Sequence, residues 1–341
     1  MIGWHVPEFG KIEETPHHEP LEELDSVKIK LTRALITEDD ISLICGEDKS
    51  VKLPFIPVRF GVGKISEVAQ ESAFLKKGDR VFISAVEPCG KCSHCESGKP
   101  ENCSNFKVAG KTVNGFLKDF ATTNASNVFS LPKTVSDEDA VFIEYVALAL
   151  SVIDKLNVKK STHVAIIGGT VFGSILAQLL TYYQAVPIII DDNTEILNKV
   201  KMTGTSYAFS SSNKPEKEVS SITGGRLASN VVYVARSGLN TDLAYKLASY
   251  NSKVVFAGFS YPNLRIPMNL AMAKQIDTFC INSGYGNYLS AINLLANKAI
   301  NLSSYMPKVT KMPDLITTVH SQIQAFNNKE RVDNVMVDLL G

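Results

Sequence analysis

The stretch from Val164 to Asp191 constrains the fold of this chain more than any other. It reads as a short apolar strand, Val164-Ala-Ile-Ile, a glycine turn, an apolar helix over Ser174–Tyr183, and a second apolar strand, Val186-Pro-Ile-Ile-Ile, ending at Asp191. Two strands joined through a helix pair in parallel, and strands apolar throughout are buried on both faces. The turn is Gly168-Gly169-Thr170-Val171-Phe172-Gly173. Gly168 permits the tight bend and Gly173 lets the helix pack closely on the strand, whereas Thr170 stands where the G-x-G-x-x-G pattern has its middle glycine. The helix N-terminus offers unpaired N–H groups and partial positive charge to a pyrophosphate. Asp191, followed by Asp192, lies 191 − 173 = 18 residues past the last glycine. A carboxylate there accepts hydrogen bonds from ribose hydroxyls and repels a 2′-phosphate, which favours NAD(H) over NADP(H). The segment therefore predicts a dinucleotide site built from Gly168, Thr170, Val171, Phe172, Gly173, Asp191 and Asp192, with phosphate contact weakened or shifted at Thr170. A parallel sheet that binds no nucleotide is the alternative.

At 341 residues two domains are expected. Up to about residue 147 the chain reads as strands and turns: Val27-Lys-Ile-Lys-Leu alternates, and Gly78-Asp-Arg-Val-Phe-Ile-Ser is a turn feeding a strand. From there apolar strands alternate with helices, including further runs at Val231-Val-Tyr-Val and Val254-Val-Phe-Ala, as in a doubly wound parallel α/β sheet. After about residue 284 come a helix, Tyr288–Asn297, and a last strand, Val335-Met-Val-Asp-Leu-Leu. Lys+Arg and Asp+Glu are both 35, so no basic field exists to hold nucleic acid or anionic lipid, and a small-molecule partner is expected. Low net charge also accommodates oligomers. The first ten residues lack a basic segment followed by an apolar one, and no apolar run approaches the roughly 20 residues of a membrane span. A cytoplasmic protein is expected.

Four of the six cysteines crowd into Cys89-Gly-Lys-Cys92-Ser-His-Cys95 and Cys103, at intervals of 3, 3 and 8 residues. Thiolates at such spacing on a loop can wrap one zinc ion tetrahedrally, and four protein ligands leave no open position, so the site braces the loop and does no chemistry. Disulfides or a redox cluster are the alternatives. His94 reads as a surface residue between ligands. His17-His18 read as a surface turn, Trp4 as core cover, and Cys280 as a buried strand residue.

Taken together, these features resemble the zinc-type medium-chain dehydrogenase/reductases, the alcohol and polyol dehydrogenases. Pro88-Cys-Gly-Lys-Cys-Ser-His-Cys with Cys103 matches their structural zinc lobe, Gly78-Asp-Arg-Val and Gly115-Phe-Leu-Lys-Asp-Phe-Ala…Leu131-Pro match framework segments, and the unit ending at Asp191 matches their coenzyme domain. The resemblance implies a GroES-like, mainly-β catalytic domain over 1–147 and 284–341 and a Rossmann domain over 148–283. It also implies nicotinamide contacts near Gly258 and a homo-oligomer, dimer or tetramer.

The resemblance further implies a catalytic zinc that polarises an alcohol or carbonyl oxygen, but the ligand positions are altered. The family's Cys-Gly-Ser/Thr-Asp maps to Thr37-Glu38-Asp39-Asp40, because Cys45-Gly-Glu-Asp48 sits too close to residue 59. The family's Gly-His-Glu maps to Val58-Arg59-Phe60. Only Glu144 remains a plausible donor. A guanidinium is always protonated and has no lone pair for a metal, so a catalytic zinc is not expected. Arg59 is instead expected in the region of the missing cation, paired with Asp40 and Glu144. Two readings follow. One is a zinc-free NADH-dependent oxidoreductase, with Asp39, Glu38 or Tyr145 as proton source. The other is a non-catalytic nucleotide-binding or scaffolding relative.

Overall fold

The computed structural model of the chain describes residues 1–21, 25–70, 74–234, 240–259 and 264–340. They form two compact units, 1–144 with 307–341, and 145–306. The first segment contains β1 (Ile2–His5), β2 (Glu13–Pro16), β3 (Ser26–Ile36), α1 (Glu38–Ile44), β4 (Phe60–Val68), β5 (Arg80–Ile83) and β6 (Val86–Glu87). It continues with α2 (Ser93–Glu96), β7 (Lys107–Val108), β8 (Phe120–Asn124), β9 (Val128–Ser130), α3 (Asp137–Ala140) and the start of α4 (Ile143–Leu156). The middle segment holds β10 (His163–Ile167), α5 (Val171–Tyr182), β11 (Val186–Asp191), α6 (Thr194–Met202), β12 (Tyr207–Ser210) and α7 (Pro215–Ile222). Then follow β13 (Ala228–Tyr233), α8 (Thr241–Leu247), β14 (Ala248–Ala257), α9 (Met268–Lys274), β15 (Asp277–Ile281) and α10 (Tyr288–Ala296). The chain closes the first unit with β16 (Val309–Lys311), α11 (Leu315–Asn327) and β17 (Val335–Asp338).

The first unit is a largely antiparallel sheet in the order β16-β17-β3-β4-β5-β9, with β8 also paired to β3. Along β3, Val27, Ile29 and Leu31 face the core while Lys28 and Lys30 face outward, the period of a half-buried strand. The register with β4 shifts between Leu31 and Arg33, a bulge that bends the strand. Gly63 lies opposite Leu31, where a Cβ would stand 2.3 Å from the Lys30 carbonyl oxygen, so the bend requires glycine. Arg33 donates to Asp338 (2.6 Å) and Glu138 (3.0 Å), and Arg80 Nε donates to Asp137 (2.8 Å), tying β3, β5, β17 and α3 together. Trp4 is buried in the core, in keeping with its expected role. His17 is not on an open turn: its Nε2 lies 2.7 Å from Glu19, a buried carboxylate that also pairs with buried Lys118 and accepts the Thr122 N–H at 3.1 Å. Only His18 is exposed.

The second unit is a six-stranded parallel sheet in the order β12-β11-β10-β13-β14-β15. The order reverses direction between β10 and β13, which makes the crevice at the strand ends there the ligand position of such sheets. The sequence reading grouped 284–306 with the first part of the chain, whereas these residues fall in the second unit. Asn287 donates to Ser151 Oγ of α4 (3.1 Å), and the Gln178 amide of α5 exchanges two hydrogen bonds with the Asn301 backbone (2.7 and 3.1 Å). Cys280 is exposed, not buried, because β15 is the last strand of the sheet and its side chains lack a covering layer. Among the described residues no helix is long and apolar enough to cross a membrane.

Candidate functional site

The cysteine lobe lies between β6 and β7, which pair with each other. Gly90, at φ +70°, makes the sharp turn between Cys89 and Cys92, and Cys92 precedes the one-turn helix α2 that carries Cys95. The four sulfurs lie within 4.8 Å of one another, Cys92 Sγ being 3.5 Å from Cys95 Sγ and 3.9 Å from Cys103 Sγ. A disulfide needs about 2.05 Å. A tetrahedron with zinc–sulfur spokes of about 2.3 Å has edges of about 3.8 Å, so the cluster fits a zinc ion. The Cys103 sulfur accepts the N–H groups of Cys89 and Asn105, both at 3.3 Å, and these hold its thiol below the ordinary range against the opposing effect of burial. The backbone N–H groups of Cys95 and Ser104 likewise bring the Cys92 thiol down to about 5. A loop prepared to hold sulfur as thiolate suits a cation.

The glycine turn connects β10 to α5. Gly168 has φ +110°, and a Cβ on Gly173 would lie 2.0 Å from the Gly168 carbonyl oxygen, so both glycines are dictated by the turn. Thr170 is the N-cap of α5 at φ −59°, a backbone open to any residue, and its side chain is exposed. Val171 and Phe172 open the helix. Asp191 ends β11 with 4% exposure, and its two carboxylate oxygens accept the N–H groups of Gly169 (2.7 Å) and Asn193 (2.9 Å). Burial raises its carboxyl, those two bonds pull it back, and the charge of exposed Asp192 adds to the rise. Gly258 follows β14 and donates to the Ile281 carbonyl at 3.1 Å. Around it, Tyr145 stacks on Phe172 (centroids 5.6 Å apart, 25° between planes) and on Phe259 (5.6 Å, 34°), an aromatic cluster at the ends of β10 and β14.

The altered ligand positions lie in the first unit. Thr37 caps α1, and Asp40 Oδ2 accepts both the Thr37 N–H (2.8 Å) and the Thr37 hydroxyl (2.7 Å). Asp40 is 1% exposed, Arg59 3% and Glu144 1%, while Asp39 is half-buried on α1. Burial pushes the Asp40 carboxyl up to about 6, the Arg59 charge and the two Thr37 bonds oppose the rise, and Asp39 adds to it. A buried arginine thus acts directly on a buried aspartate.

Residues 23–133 match the alcohol dehydrogenase GroES-like domain family. Over 306 residues the chain is 24% identical to an uncharacterised zinc-type alcohol dehydrogenase-like protein of Haemophilus influenzae, covering 89% of each. The crystal structure of galactitol-1-phosphate dehydrogenase from Escherichia coli superposes with a TM-score of 0.86 at 19% identity, over 99% of this chain and all (100%) of that one. The alcohol dehydrogenase RspB of Escherichia coli CFT073, solved with NADH, gives 0.85 at 22% identity over 99% of both. The chain belongs to the zinc-type medium-chain dehydrogenase/reductase family. Its first unit is the GroES-like fold and its second the Rossmann fold of these dehydrogenases. Two features of this family member escaped sequence reasoning. Tyr305 has a buried phenol, raised by burial, that interacts with Ser174 and feels the Asp191 charge. No motif could bring in a residue so far downstream. Val58, in the middle of an apolar run, has φ +79°, and nothing in a valine's identity announces a left-handed backbone.

Proposed function

We propose that the chain is an NAD(H)-dependent oxidoreductase of small alcohol–carbonyl pairs that works without a catalytic zinc. The observation that carries this reading is the buried Arg59 beside Asp40 in a chain of dehydrogenase descent. The Rossmann unit fits the cofactor: Gly168 and Gly173 keep the turn tight beneath the α5 N-terminus, and each Asp191 oxygen, already holding one N–H, retains acceptor capacity for a ribose hydroxyl. Bound NAD(H) supplies or accepts the hydride. In the GroES-like unit Arg59 offers a fixed positive charge and N–H donors to a substrate oxygen. Asp39 and Glu38, half-buried on α1, and Tyr145 of the Rossmann unit are the candidate proton sources. Cys89, Cys92, Cys95 and Cys103 would hold one structural zinc, which braces the lobe.

A fluorescence titration with NADH, then a screen of aldehydes, ketones and activated alkenes for NADH consumption, tests the reading. Saturable binding that Gly173→Ala abolishes, with turnover of at least one carbonyl class, is the expected result. Metal analysis should return one zinc per chain, and two would overturn the ligand assignment. Thr170, exposed at the point where a phosphate approaches, favours the second reading of a nucleotide-binding relative without catalysis. That reading predicts NADH binding with no turnover.

We also propose a homo-oligomer formed through the β15 edge. Here Cys280 is exposed, and on the preceding helix Met268 and Met272 are 59% and 73% exposed. Light scattering should give a multiple of the 37.2 kDa chain mass, and a monomer at micromolar concentration removes the proposal.

A further inference from the structure

Val58 is fully buried at φ +79°, a backbone region that β-branched residues rarely enter. Its neighbours hold it there. The N–H groups of Gly115, Phe116 and Leu117 donate to the carbonyls of Ile56 (2.7 Å), Val58 (2.7 Å) and Pro57 (3.3 Å). A Cβ on Gly115 would lie 2.2 Å from the Val58 oxygen and 2.3 Å from the Pro57 oxygen, and one on Gly110 would lie 2.9 Å from the Val58 nitrogen. Residues 115–117 therefore press flat against 56–58, and only glycine lets them come so close. Strain persists where the surroundings over-determine it, and it gathers where a side chain must be aimed. The next residue is Arg59. An ordinary extended φ at residue 58 would rotate the following peptide and carry the guanidinium away from its present direction.

We propose that Val58 is a positioning residue for the arginine centre: its left-handed backbone, clamped by Gly110, Gly115 and Phe116, aims Arg59 at the Asp40 carboxylate. The proposal rests on the reading of Arg59 as the fixed cation of the site. Its test uses the protein without cofactor or substrate, so the outcome is independent of any turnover.

The readout is the titration midpoint of Asp40, followed by its carboxyl 13C resonance and lying at about 6 in the unaltered chain. A Val58 that merely filled space would not move it. Arg59→Met should raise the midpoint by about 1–3 pH units. If it does not, the arginine reading itself fails. Val58→Gly, whose glycine takes the left-handed backbone freely, should leave the midpoint in place. Gly115→Ala, which drives a methyl group into the 57–58 backbone, should raise it towards the Arg59→Met value. A folded Gly115→Ala protein with an unmoved midpoint, or a Val58→Gly protein shifted as far as Arg59→Met, overturns the proposal. Where Gly115→Ala does not fold, the stabilities of Val58→Gly and Val58→Ala decide. A glycine variant at least as stable as the alanine one supports it, and the reverse order, usual for buried valines, overturns it.

Discussion

Arg59→Met should cost about 3–5 kcal/mol of stability at pH 8, the range expected when one member of a buried ion pair is removed and the other is left buried and charged. The partner in question is Asp40, 1% exposed and hydrogen-bonded only through Thr37 besides its interaction with the arginine charge. The cost should shrink as pH falls, because protonation removes the stranded charge. In the unaltered chain the Asp40 carboxyl is raised from 3.8 to about 6, so the folded state keeps a proton that the unfolded chain has already released. Its contribution to stability is therefore fully present below about pH 4 and lost as pH rises through about 6. The size is roughly 3 kcal/mol, from about two pH units at about 1.4 kcal/mol each. Urea titrations at pH 5 and pH 8 read both effects, with Asp40→Asn, Arg59→Met as the double variant in which most of the arginine penalty should vanish. A cost under about 1 kcal/mol, equal at both pH values, would contradict a buried charge pair.

The second large effect belongs to the cysteine lobe. Cys103→Ser should reduce the zinc content to near zero and open the loop between β6 and β7 to proteolysis. Cys103 is the one buried sulfur of the four, and it accepts two backbone N–H groups. Structural zinc binding is worth about 10–16 kcal/mol in small zinc peptides, far more than the packing of this lobe, whose helix α2 has no buried residue. Cys280→Ser, on the exposed β15, is the control and should keep its metal. Zinc retained in the Cys103→Ser protein, or lost from the control, would refute the assignment.

Local chemistry made some of this molecule legible in its sequence. The run Val164–Ile167, the turn closed by Gly173 and the strand to Asp191 carry their own periodicity and their own steric need for glycine. The helix expected over Thr194–Met202 is the helix observed. The cysteines announced their convergence by spacing alone. What stayed hidden depends on partners far along the chain. Glu19 is satisfied by Lys118 and Thr122, about a hundred residues on, so His17 looked like part of an open turn. Cys280 lies in an apolar strand, but whether a strand is central or at the edge is decided by the order of the whole sheet. The grouping of residues 284–306 turns on side-chain bonds from Asn287 and Gln178 that no apolar pattern records. Backbone strain at Val58 is likewise invisible, since it is imposed by Gly110 and Gly115 from another segment.

Asp191 carries a consequence for anyone wishing to retune this enzyme. The carboxylate that would discriminate between cofactors is also a strut of the phosphate turn, gripping Gly169 on one side and Asn193 on the other. Swapping it for a neutral residue to admit a 2′-phosphate would slacken the turn at the same stroke, so selectivity and rigidity are welded together at that position. Redesign has more freedom next door, at exposed Asp192, where charge can be reversed without loosening the loop.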